Sequence, residues 1–213
     1  MFESGLIDRL PGDCVHMSST TLGIDTAQKL AAAHRKHGRG YVAAPVLGRA
    51  VDMAPNGKLF LIAAGASDGL ARCAPLFAAV GQRTFEFGSD PVTAVAVKLA
   101  INFLNFSAIE AMGEAFALAA QYGVRPSDFY EFITSTLFGS PPYKAYGKLI
   151  ERNSNVPANF VVPLGLKGQI GAGRRRESEL GHTAGQCRTG SFRASDGARL
   201  SRRGYRSTRA RHH

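Results

Sequence analysis

One run limits the fold more than any other part of the chain. From Pro91 to Gly123 the sequence is rich in Ala, Leu and Phe and has a helical period. Within it, VTAVAVKLAINFLNF (Val92 to Phe106) holds a single charged residue, Lys98. A helix that is apolar on nearly all faces belongs in a core, and a buried ammonium costs several kcal/mol unless it is paired or hydrogen-bonded. Two readings of Lys98 therefore stand open: it reaches solvent along its own stem, or it sits in a site. At about 100° per residue, Asn102 lies about 40° from Lys98 around the helix and Asn105 about 20° the other way. The three polar residues share one stripe. In a dry site a lysine can stabilise a developing alkoxide and give a proton to a carbonyl oxygen. An amide at i+4 can bind the same ligand.

Ahead of this run the pattern alternates. Short apolar segments at 14–20, 41–46, 58–65 and 83–88 read as strands, and 25–38 and 68–81 read as helices, the first stopped by Gly38. The rhythm predicts an α/β layer with a largely buried sheet over residues 1–88. After Gly88 no strand pattern recurs. Helices are expected at 91–123, at 127–138 with Ser127 as its cap, and at 141–152, so 89–171 is expected to be all-helical.

Composition sharpens these limits. The net charge of +10 suggests a nucleic-acid partner until it is located. Residues 172–213 hold eleven Arg, no Lys and three acidic residues, while the rest of the chain holds fifteen basic and thirteen acidic residues. The basicity thus belongs to a Gly/Ser/Arg-rich tail that composition predicts to be disordered. That tail has only Phe192 and Tyr205 for base stacking, so a nucleic-acid binder is the weaker reading. No uninterrupted apolar run reaches the roughly 18 residues of a membrane span. No signal peptide is visible, and Cys14, Cys73 and Cys187 form neither a metal cluster nor a disulfide framework. A cytoplasmic protein without a metal is expected.

Four segments in order resemble the β-hydroxyacid dehydrogenases, the family of 3-hydroxyisobutyrate dehydrogenase and glyoxylate/succinic semialdehyde reductase, with the imine reductases as relatives. GSDPVTAVAVKLAINFL resembles the segment with a glycine turn, the catalytic lysine and an asparagine four residues on, matched by Gly88, Lys98 and Asn102. HMSSTTLG (16–23) resembles the segment that touches the nicotinamide end of the cofactor, with Thr21 in the main position. YVAAPVLGRA (41–50) resembles the substrate-carboxylate segment, with Gly48 and Arg49. LGLKGQIG (164–171) resembles the late lysine segment, in which Lys167 reaches the cofactor.

The resemblance implies the C-terminal part of a Rossmann-type NAD(P)-binding domain at 1–88, followed by part of a 6-phosphogluconate-dehydrogenase-like helical domain at 89–171. It implies NADP or NAD as cofactor, a small hydroxy acid or semialdehyde as substrate, and a homodimer through the long helix. An imine-reducing enzyme and a non-catalytic dimerisation module are the alternatives. Leu47 departs from the usual Ser, Arg49 from Gly, and Gly168 from Asp. No G-x-G-x-x-G occurs, so the pyrophosphate-binding half is expected to lie outside this sequence, and little turnover is expected of the chain by itself. The family continues past the late lysine with apolar helices. The Arg-rich tail at 172–213 is instead consistent with a shifted reading frame.

Overall fold

The computed structural model describes residues 5–48 and 53–153. Arg49, Lys167 and the tail at 172–213 lie outside them. A short helix, α1 (Leu6–Arg9), leads into strand β1 (Val15–Ser18), helix α2 (Ile24–Lys36), strands β2 (Gly40–Ala43) and β3 (Val46–Leu47), and strand β4 (Leu59–Gly65). Helix α3 (Ser67–Val80), strand β5 (Gly81–Glu86) and the long helix α4 (Pro91–Gln121) follow, then α5 (Pro126–Ser135) and α6 (Pro141–Glu151). The expected α/β-then-α order holds across the described residues.

The sheet is mixed. β1 runs parallel to β2, with His16 opposite Tyr41. β2 and β3 lie along the same side of β4 and both run antiparallel to it, with Ala43 opposite Ala64 and Leu47 opposite Phe60. β5 runs parallel to β4 on its far side. Among the described residues, the outer edge of β1 has no neighbouring strand.

Side-chain alternation sends the sheet's two faces into different cores. Val42, Ala44, Leu61 and Ala63 meet Leu70, Cys73 and Phe77 of α3. Ala43, Ile62 and Ala64 meet Ala27 of α2 and Ala94, Val95 and Leu99 of α4. Both faces are thus covered at the centre, which explains why β4 is an almost uninterrupted apolar run.

Helix ends follow local chemistry. Gly38, at φ 61°, takes the left-handed position just beyond α2. Asp90 caps α4 by accepting a hydrogen bond from the Val92 amide at 3.0 Å, and Pro91 fills the first helical position. Ser127 does not cap α5. That helix begins one residue earlier, at Pro126, with Arg125 before it. The Ser127 hydroxyl donates to Asp128, and so does the Arg125 guanidinium.

Helix α4 spans 31 residues, about 46 Å at 1.5 Å per residue. By length and composition it is apolar enough to cross a membrane, which corrects the expectation drawn from uninterrupted runs. Lys98 is one charge within a window that stays apolar on average. In the fold the helix serves two cores in turn. Ala94, Val95 and Leu99 pack on the sheet, while Met112 and Phe116 pack with Ile133 of α5 and Tyr143, Tyr146 and Ile150 of α6.

Candidate active site

Lys98 lies among the residues of α4 that grip the sheet, between Val95 and Leu99, and Asn102 follows one turn later, before Met112 and Phe116 grip α5 and α6. Lys98 is half-buried, and burial pushes its pKa below the ordinary lysine value. Asn102 is only 4% exposed. Among the described residues neither side chain has a hydrogen-bond or ion-pair partner. One turn apart on the same helix, an ammonium and an amide can bind one polar ligand. Asn105, the third member of the stripe, is half-buried.

Thr21 and Gly48 approach through their neighbours. Leu22, next to Thr21, Leu47, next to Gly48, and Leu99, next to Lys98, all belong to one apolar cluster. Thr21 sits in the turn between β1 and α2, half-buried, with Ser19 and Thr20 exposed beside it. The turn and Gly48 both follow strands that run the same way, so they emerge at the same end of the sheet. Gly48 has φ 113°, a conformation that favours glycine. A Cβ built there would meet Met53 Sδ at 2.5 Å and Leu59 Cδ2 at 3.2 Å. Leu47, which stands where the resembled family has a serine, is half-buried and packs against this cluster with an apolar side chain in place of a hydroxyl.

Sequence reasoning missed a second polar cluster. His34 of α2 is fully buried. Its Nδ1 lies 2.8 Å from the Leu30 carbonyl oxygen, and its Nε2 lies 2.9 Å from Nδ1 of His16. Its ring stacks on Tyr41, with centroids 4.6 Å apart. His16 faces this cluster from within β1, and burial followed by the neighbouring His34 pushes its pKa below the ordinary value. Burial also raises the Tyr41 phenol. The available signal was the stripe Ala27, Leu30, Ala31, His34, which places that histidine on the inner face of α2. Among the described residues no group of three or more His, Cys, Asp or Glu is placed to hold a metal ion.

Comparison with known proteins agrees with this architecture. Residues 1–88 match the NAD binding domain of 6-phosphogluconate dehydrogenase. The chain is 40% identical over 165 residues to an uncharacterised oxidoreductase, YfjR, of Bacillus subtilis, covering 78% of this chain and 57% of that protein. It is 32% identical over 169 residues to L-threonate dehydrogenase of Escherichia coli O6:H1, covering 77% of this chain and 55% of that one. The crystal structure of 3-hydroxyisobutyrate dehydrogenase from Salmonella typhimurium superposes with a TM-score of 0.75 at 24% identity, over 88% of this chain and 65% of that chain. Residues 1–88 thus match an NAD binding domain, and the chain shares the Rossmann-plus-helical fold of that dehydrogenase structure. Over most of its length it is similar to proteins named as oxidoreductases and hydroxy-acid dehydrogenases. It spans a little over half the length of the curated relatives it matches.

Proposed function

We propose that this chain carries the lysine-bearing part of an NAD(P)-dependent β-hydroxyacid dehydrogenase, acting on a small hydroxy acid or the matching carbonyl compound. The observation that carries the reading is the pair formed by Lys98 and Asn102: a half-buried ammonium and a buried amide, one turn apart, without partners among the described residues. A bound nicotinamide dinucleotide supplies hydride chemistry. The Thr21 turn offers hydroxyls that fit its nicotinamide end, and the resemblance adds Lys167, outside the described residues, as the second contact. The sequence has no glycine-rich turn for the pyrophosphate.

In this reading Lys98 gives its Nζ proton to the carbonyl oxygen as the alcohol forms, and takes it back in the oxidative direction. A lowered lysine pKa brings the neutral and charged forms closer together near working pH, which suits both directions. Asn102 fixes the same oxygen or its neighbour by hydrogen bonding. The backbone at Gly48, with Arg49, holds the substrate carboxylate. The exposed apolar residues of α4, Leu104 and Leu118, supply a contact surface for a second copy, so the protein pairs as a homodimer through that helix.

Selective acylation tests the site. A desolvated lysine of lowered pKa reacts faster than solvated lysines at mildly alkaline pH. Mass spectrometry after brief amine labelling at pH 8 is expected to show Lys98 modified first, and slowed by added L-threonate or 3-hydroxyisobutyrate. Labelling of Lys98 no faster than that of Lys29 or Lys58, and unaffected by either acid, overturns the reading.

A further inference from the structure

One surface beside Lys98 is not used by this mechanism. Leu47 of β3 pairs with Phe60 of β4, and Phe60 pairs with Arg83 of β5. Directly paired residues point to the same face of a sheet, so these three form one row across three strands. It lies on the face that carries Ile62 and Ala64 beneath α4. Strands lie about 4.8 Å apart, which places Arg83 about 10 Å from Leu47. Leu47 packs into the same cluster as Leu99, the chain neighbour of Lys98. Leu47 thus ties the row to the turn of α4 that carries Lys98.

Beyond Leu47 the row is open. Phe60 and Phe85 are each 36% exposed, and their rings lie 6.4 Å apart at a tilt of 42°. The Arg83 guanidinium sits over the Phe85 ring at 4.4 Å, held at the far end of the row. Among the described residues Arg83 has no acidic partner. An exposed apolar shelf ends at one side in the Lys98 region and at the other in an unpaired, positioned cation. Net positive charge at both ends complements an acid, and the aromatic surface between them complements an apolar body.

We propose that Leu47, Phe60 and Arg83 form a specificity subsite for an aryl-substituted hydroxy acid or its carbonyl form. The substrate's reacting end lies at Lys98 and its ring lies along Leu47 and Phe60. The proposal rests on the dehydrogenase reading above and adds the substrate class. It also gives Leu47 a purpose: an apolar side chain at that position begins the shelf, where a hydroxyl would interrupt it.

The test compares two acids on the full 213-residue chain, 3-hydroxyisobutyrate and 3-hydroxy-3-phenylpropanoate, with Kd measured by saturation-transfer NMR. The aryl acid is expected to bind at least about tenfold tighter, an apolar contribution of ordinary size for one ring. Phe60→Ala, a change at an exposed position, is expected to abolish that preference and leave the smaller acid unchanged. Lys98→Ala is expected to weaken both acids. Equal affinities, or a preference that survives Phe60→Ala, overturn the subsite while leaving the Lys98 site standing. Failure of both acids to bind removes the site and the subsite together. Dissociation of a dimer by Phe60→Ala, with acid binding unchanged, identifies the shelf as a protein contact and also overturns the proposal.

Discussion

His16 Nδ1 and His34 Nε2 lie 2.9 Å apart, and the second bond of His34 fixes which of them donates. The Leu30 carbonyl can only accept, so His34 carries its proton on Nδ1 and accepts at Nε2 from the Nδ1–H of His16. Burial, then the neighbouring His34, hold the His16 pKa below 6.5. The unfolded chain therefore binds a proton near pH 6.5 that the folded chain refuses. Stability is expected to be full above about pH 6.5 and to fall as the pH drops beneath it, levelling off once the folded imidazole itself titrates. His16→Phe is expected to lower Tm at pH 8, because it strands a buried acceptor at a cost of about 1–3 kcal/mol, and to flatten the acid slope. Thermal melts of both proteins from pH 5 to pH 8 check this.

Lys98 gives the opposite result on replacement. Burial lowers its pKa from 10.5, so stability rises with pH across the window beneath 10.5 as the unfolded chain holds a proton that the folded chain releases. Lys98→Met removes the desolvated charge and keeps the apolar stem. It is expected to raise Tm by about 2–4 °C, the shift that about 1 kcal/mol gives in a chain of this size, while abolishing any response to hydroxy acids. Calorimetry at pH 7 and the labelling experiment together check both parts.

Gly48 is constrained by conformation and by space. Its φ of 113° strains any L side chain, and Met53 Sδ would stand 2.5 Å from the new Cβ. Gly48→Ala is expected to cost about 1–3 kcal/mol. Adding Met53→Ala is expected to restore only part of it, because the backbone strain remains. Urea unfolding of the single and double variants separates the two contributions.

Leu118 is exposed on α4 and has no packing role in either core. If α4 pairs two copies, Leu118→Glu is expected to convert the dimer to a monomer without changing the fold. Sedimentation velocity over a tenfold concentration range reads the mass directly, and a wild-type monomer at every concentration removes the dimer.

The sequence showed the elements well because most are locally consistent. The apolar run of β4, the Ala-rich face of α2 and the Asp90-Pro91 entry to α4 each carry their own signal. Strand direction was less legible: nothing in KLFLIAAG states that β4 runs antiparallel to β2, a choice made by tertiary pairing. Of the site, the Lys98–Asn102 stripe followed from helical spacing alone. The His16–His34 bond did not, because it joins residues 18 apart through the docking of α2 on β1. The Leu47–Phe60–Arg83 row was equally hidden, since it depends on the register of three strands.

Because α4 is gripped by the sheet at Ala94, Val95 and Leu99 and by α5 and α6 at Met112 and Phe116, it works as a single axle shared by two bodies. Bending between them means breaking helical hydrogen bonds in the span from Leu99 to Met112, which holds Asn102. The spacing of Lys98 and Asn102 is therefore set by one continuous helix and does not depend on how the loops around it are arranged.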